Sequence, residues 1–279
     1  MSEAVRIEDE GAVRRLILCR PEAYNTITPE LRDELAAALD GAERDPGVKV
    51  VLLTAEGPAF CAGFGLDWST VGERRDGPVW DTVADVRMIS TFGRTFARLH
   101  ELSKPTVAAV QGWCVAGGTD MVLNADLILA AESARFGYPP ARVWGIPEAP
   151  WVWVARLGLE RAKRYLFTGD ELTGREAAEA GMVLECVPDD ELEDRATALA
   201  RRIALLPLNQ LQMVKWSLND VARHQYQPDT SRLLGFIFDG VARHTQEGLD
   251  FVARAQEVGW RDAVRERDRP FGDYGERPR

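Results

Sequence analysis

Two glycine-bearing segments, each directly behind an apolar β-type run, constrain this chain more than any other feature. The first is Phe60-Cys61-Ala62-Gly63-Phe64-Gly65-Leu66, behind the run Val48–Thr54. The second is Gly112-Trp113-Cys114-Val115-Ala116-Gly117-Gly118-Thr119-Asp120, behind Lys104–Gln111. Glycine lets a backbone approach a ligand closely and adopt positive φ. A strand followed by glycines and a helix start offers backbone N–H groups to a phosphate, or to an oxyanion developing on a carbonyl. Neither segment fits G-x-x-x-x-G-K-[ST], and no G-x-G-x-x-G follows a strand, which argues against the nucleotide-binding folds.

The rest of the first half keeps the same rhythm. Val13–Cys19 reads as a strand closed by Arg20-Pro21. Thr28-Pro29-Glu30 opens a helix, with Thr28 as cap, and Leu31, Leu35 and Leu39 fall on one face. Asp45-Pro46-Gly47 ends that unit, and Leu127–Ala131 is a further strand. Strand, helix, strand at this spacing predicts an α/β fold with parallel pairing and both sheet faces covered. Gly72–Trp80 reads as a polar loop before a helix that runs through Leu102. The second half is mostly helical. Thr173-x-x-Glu176 is a capping box, Gly181 closes its helix, Asp190–Leu205 has helical spacing, and helices continue to about Val264. The charged tail from Arg265 is either a frayed end or an arm that docks on a neighbour.

Charge and composition narrow the function. The chain of 279 residues carries 34 basic and 44 acidic side chains, a net charge of −10, which disfavours nucleic acid and anionic membranes as partners. Only four of the basic residues, Lys49, Lys104, Lys163 and Lys215, are lysines. Cys19, Cys61, Cys114 and Cys186 lie far apart without a C-x-x-C pair and read as free, buried thiols of a reducing compartment. With three histidines, a metal site is not expected. No run approaches the roughly 20 apolar residues of a membrane span, and the acidic Ser2–Glu10 is wrong for a signal peptide, so the expected location is the cytoplasm.

The two segments in this order, with what surrounds them, resemble the enoyl-CoA hydratase/isomerase (crotonase) superfamily over roughly residues 5–260. The resemblance takes in Arg20-Pro21-Glu22-Ala23-Tyr24-Asn25, Ala59-Phe60-Cys61-Ala62-Gly63 and Lys104–Gly112. It continues through Ala116-Gly117-Gly118, Asn124-Ala125-Asp126-Leu127, Ala134-Arg135-Phe136-Gly137, Gly145-Ile146-Pro147, Ala162–Gly169 and Ala177–Val183. It implies a spiral of ββα turns over 1–205, then a helical C-terminal region over 206–279 that builds homotrimers or hexamers. The implied substrate is an acyl-CoA thioester, with no tightly bound cofactor. Carried over by position, the oxyanion-hole N–H groups are those of Phe64 and Gly117, and CoA lies along Ala23, Ala62, Gly65 and Leu66.

Hydratases of this family use two glutamates. The first corresponds to Asp120, one methylene shorter; the second corresponds to Pro140, which can neither give nor take a proton. Glu148 stands where hydratases have a glycine close to the substrate. The dienoyl-CoA isomerase branch carries an aspartate at each of the positions of Asp120 and Glu148, although it also keeps the glutamate absent at Pro140. The resemblance therefore implies an acyl-CoA lyase or isomerase with Asp120 as main acid/base, joined by Glu148. A hydrolase and a non-catalytic acyl-CoA-binding protein are the alternatives, and RNA binding is disfavoured by charge. Trp144, Trp151 and Trp153 with Tyr138 are expected around the acyl pocket, at least one tryptophan being core. Cys61 and Cys114 are expected to be small core residues, and His100 a capping or surface residue. His224 and His244 receive no chemistry, and the arginines of 261–269 include a candidate partner for the CoA phosphates.

Overall fold

The structure is a computed structural model that describes residues 3–66 and 81–274. It opens with a hairpin, β1 (Val5–Glu10) and β2 (Val13–Leu18), turned at Gly11. Helix α1 (Pro29–Arg44) follows, capped by the Thr28 hydroxyl, which accepts from Leu31 N. Leu31, Leu35 and Leu39 are fully buried along one face of it. Then come β3 (Val50–Ala55), β4 (Ala59–Cys61) and α2 (Thr82–Glu101). The next turn is β5 (Thr106–Val110), β6 (Trp113–Val115) and α3 (Gly117–Val122). A third adds β7 (Leu127–Ala131), β8 (Arg135–Gly137), a 3-10 turn at Pro139–Arg142, α4 (Pro150–Leu157) and α5 (Leu159–Thr168).

Successive turns place one strand in each of two sheets. One sheet runs β1-β2-β3-β5-β7-β10, with β10 at Glu185–Val187; the other runs β4-β6-β8-β9, with β9 at Leu172–Thr173. Apart from the β1–β2 and β8–β9 pairs, all pairings are parallel. This is the expected spiral of ββα turns. Val51 and Leu53 of β3 point into the main core, while Val50 and Leu52 point to the other face, under α7 (Leu192–Ala204). Both faces are covered, so the strand reads as a continuous apolar run. Between β9 and β10 lies α6 (Gly174–Glu179), with Thr173 and Glu176 forming the expected capping box.

Four helices complete the described chain: α8 (Leu208–Tyr226), α9 (Pro228–Ala242), α10 (Gln246–Val258) and α11 (Trp260–Asp268). None of the described helices is long and apolar enough to cross a membrane. The loop expected at Gly72–Trp80 lies outside the described residues. The tail is not frayed from Arg265 up to Tyr274: it folds back on its own chain, where Arg142 donates to Asp268 and Asp273.

At Gly112 the spiral brings two backbone segments into close approach. Its φ is +54°, and a Cβ there would lie 1.9 Å from Pro58 O, a backbone atom that cannot swing away. Gly112→Ala therefore combines a left-handed conformation with a backbone collision, and about 3 kcal/mol or more of stability is lost. A fall in the midpoint of urea unfolding, at unchanged slope, measures it.

Candidate active site

The loop ahead of α1 is fixed by Asn25, a fully buried side chain. Its Nδ2 donates to Glu56 O and Ala59 O, both at 2.9 Å, and its Oδ1 accepts from Arg20 N at 2.8 Å. This ties the turn that carries Ala23 to the entrance of β4. Ala62 N then donates to Tyr24 O, and Ile27 and Phe64 form a parallel bridge whose hydrogen bonds run through Gly63 and Gly65. The first glycine segment is thus held from both sides.

The second segment closes on the first. Cys61 of β4 pairs in register with Cys114 of β6. A Cβ on Gly117 would lie 2.6 Å from the Phe64 ring and 2.7 Å from Ile27 Cδ1; one on Gly118 would lie 2.4 Å from Cys61 O. Only glycine permits this approach. Ala116, just before α3, has φ 52° and ψ −124°, a conformation costly for a residue with a Cβ. Gly117 takes the first helical position, where an N–H has no partner within the helix.

A cavity of about 260 Å³ opens beside these loops. Ala62, Phe64, Leu66, Ala116 and Gly117 form one part of its wall, and Tyr138, Pro140, Trp144 and Glu148 another. Of the positions expected to carry CoA, Ala62 and Leu66 line it. Ala23 and Gly65 do not. Pro140 faces the cavity, so the wall carries no carboxylate at that place.

The side chain of Asp120 reaches the backbone of Glu148. Asp120 Oδ1 accepts from Glu148 N at 3.0 Å, joining α3 to the segment before α4. Both side chains are buried, and Asp120 Oδ2 and both Glu148 oxygens have no hydrogen-bond partner among the described residues. Burial pushes each carboxyl well above its usual range. For Glu148 the neighbouring Asp120 and Asp239 charges push the same way, while Arg243 opposes them. Glu148 lines the cavity, whereas Asp120 lies behind it.

Helix α9 and the C-terminal segment supply further lining residues; apart from Arg267, which lies in the expected arginine run 261–269, the sequence pattern did not mark them. Asp239 and Arg243, joined at 2.8 Å, line the cavity, as do Val264, Arg267, Asp268 and Tyr274. Only their place in three dimensions reveals the rest; their sequence context is an ordinary amphipathic helix and a polar tail. The tryptophans separate. Trp144 lines the cavity and Trp153 is fully buried edge-on to Tyr138. Trp151 instead packs on His100 and Tyr226, away from the cavity. His100 is therefore not a surface group: it is half-buried against Trp151, and burial pushes its pKa down to about 4. Cys61 and Cys114 are buried, as expected, and burial pushes the Cys61 thiol up to about 12.

With this geometry in place, the relationships to known proteins agree with it. The family model described as "Enoyl-CoA hydratase/isomerase" matches residues 8–260. The 1,2-epoxyphenylacetyl-CoA isomerase of Escherichia coli is 33% identical over 221 residues, 78% of this chain and 83% of that protein. The hydroxycinnamoyl-CoA hydratase-lyase of Pseudomonas fluorescens is 34% identical over 204 residues, 72% of each. A crystal structure of an enoyl-CoA hydratase from Mycobacterium smegmatis superposes with a TM-score of 0.91 at 44% identity, covering 99% of this chain and 97% of that one. The chain belongs to the enoyl-CoA hydratase/isomerase family, whose members process acyl-CoA thioesters.

Proposed function

We propose that this protein relocates a proton, and with it a double bond, on an acyl-CoA thioester. The substrate brings the CoA; no tightly bound cofactor takes part. The thioester oxygen sits against the backbone N–H groups of Phe64 and Gly117, whose dipoles stabilise the charge that develops as an enolate forms. Glu148 is the carboxylate in contact with the acyl group, and Asp120 is its partner. Burial and the neighbouring charge push both carboxyls toward their protonated form, which makes an ionised carboxylate at this place a stronger base than one in water. As the ionised form, Glu148 takes a proton from one substrate carbon, leaving the enolate, and returns a proton at another carbon. The observation that carries this reading is the buried Asp120–Glu148 pair with its unpartnered oxygens beside the Phe64–Gly117 loops.

Pro140 in the wall favours proton relocation over water addition, because a hydratase of this family needs its second carboxylate there. The aromatic wall of Phe64, Tyr138 and Trp144 suits a ring-bearing acyl group, the kind named for the E. coli and P. fluorescens relatives. Incubation with 3-enoyl and 2-enoyl thioesters in D2O tests the proposal. Deuterium at carbon and a shifted double bond are expected, with no 3-hydroxyacyl product. Tight binding without exchange or turnover would instead mark a non-catalytic acyl-CoA-binding protein.

Helices α8 and α9 expose Met213, Trp216, Leu218, Val221, Leu234 and Phe238, more large apolar surface than a lone protomer usually shows to water. We assign this face to assembly into a trimer or a dimer of trimers. Light scattering is expected to give three or six times the 31.0 kDa chain mass. The pair Trp216→Glu and Leu218→Glu is expected to yield the single-chain mass.

A further inference from the structure

The C-terminal end of the described chain is fastened to the cavity by one arginine. Arg142, in the 3-10 turn after β8, has 1% of its side chain exposed. It donates two parallel hydrogen bonds to Asp273, at 2.7 and 2.8 Å, and a third to Asp268 at 3.0 Å. Its Nε donates to Thr168 O at 2.9 Å, and its guanidinium lies 3.9 Å from the Phe271 ring centre and 5.1 Å from that of Tyr274. A planar fork matched to a carboxylate and stacked on rings holds one geometry. It brings Tyr274 into the cavity wall, 5.7 Å from Trp113 between ring centres.

Tyr274 is seated on Gly137, where a Cβ would lie 1.7 Å from the tyrosine Oη. That hydroxyl is buried and has no hydrogen-bond partner among the described residues. A buried polar group left unsatisfied in this way destabilises the fold unless something supplies a partner. Burial and the nearby Asp273 also hold the phenol neutral, so it keeps a proton to donate. Tyr274 lines the same cavity as Glu148, together with the aromatic side chains of Trp113, Tyr138 and Trp144.

We propose that Tyr274 is a specificity-determining residue whose hydroxyl hydrogen-bonds an oxygen carried on the acyl group, selecting oxygen-substituted aromatic acyl thioesters over plain hydrocarbon ones. The inference rests on the acyl-CoA reading above. A site that pairs a substrate hydroxyl rejects the analogue lacking it, because its own group is then left desolvated and unpaired. Arg142 is the positioning residue that sets the tyrosine.

Calorimetric binding tests this without turnover, using 3-(4-hydroxyphenyl)propanoyl-CoA, 3-phenylpropanoyl-CoA and free CoA, with wild type, Tyr274→Phe and Arg142→Lys. The wild type is expected to bind the hydroxylated thioester at least tenfold more tightly than the unsubstituted one. Tyr274→Phe erases that difference and leaves CoA affinity unchanged; Arg142→Lys reduces the difference. Three results overturn the proposal: no preference in the wild type, a preference that survives Tyr274→Phe, or equal weakening of all three ligands, which would place the hydroxyl on the CoA arm. Binding of none of the three by the wild type would instead remove the acyl-CoA reading itself. Circular dichroism of each variant confirms the fold.

Discussion

Glu148→Gln lowers kcat for proton exchange by about 100- to 10,000-fold while leaving the affinity for a saturated acyl-CoA nearly unchanged. The range is that of a general acid/base removed from an otherwise intact site. Glutamine keeps the shape of glutamate, so the packing against Gly93 and Phe236 is retained. The change also has a signature in stability. Burial and the Asp120 charge raise the folded-state pKa of Glu148 well above its ordinary 4.5. The folded protein then binds a proton that the unfolded chain releases. The contribution to stability is fully present below pH 4.5 and is lost as pH rises from there through the raised folded-state value. Glu148→Gln removes this fall, so thermal unfolding of the variant changes less between pH 5 and pH 8 than that of the wild type, by differential scanning calorimetry. Unaltered kcat in the variant would remove Glu148 from the chemistry. A lower kcat with an unaltered pH–stability profile would show that its carboxyl is not held protonated.

Gly117→Ala is the second large effect. The added methyl lands 2.6 Å from the Phe64 ring, a side chain that can rotate, and 2.7 Å from Ile27 Cδ1. The protein therefore folds, but the two glycine segments part by a fraction of an ångström. Oxyanion donors act only when their N–H groups are aimed at the developing charge, and misplacing one costs about 2.7–4 kcal/mol, or roughly 100- to 1000-fold in kcat. Since the thioester oxygen gains its charge in the transition state, the loss is expected in kcat more than in KM. Steady-state kinetics separate the two, and a rise confined to KM would contradict the assignment of Gly117.

How much of this was legible in the chain follows from where the information sits. The strands Val50–Ala55 and Leu127–Ala131 and the helix from Pro29 announce themselves through local pattern: β-branched runs, a threonine cap, leucines at helical spacing. The strands β4, β6 and β8 have three residues each, too short for any period to show, and they carry the glycine segments and the cavity wall. The Asp120–Glu148 pair could be named because each residue sits at a recognisable motif. That Glu148 faces the cavity while Asp120 stands behind could not, because this order depends on how α2, α3 and α9 pack. Arg142, Asp239, Arg243 and Tyr274 had no local signal: each gains its role from partners about 100 or more residues away, or from a wall built by another element. Trp151 shows the converse, since an aromatic near the site in sequence turned to a different face.

The backbone at Ala116 acts as a preload. With φ at 52° and ψ at −124° in a residue that has a Cβ, the backbone leading into Gly117 is held in a sparsely populated conformation before any substrate arrives. Two neighbours keep it there: Ala116 N donates to Gly137 O, and Ala116 O accepts from Thr119 N and Asp120 N. The conformation is thus set during folding, and in the proposed oxyanion hole the Gly117 dipole would not have to reorient when charge appears on the thioester. A solvent dipole would have to turn at that moment; this one has turned already.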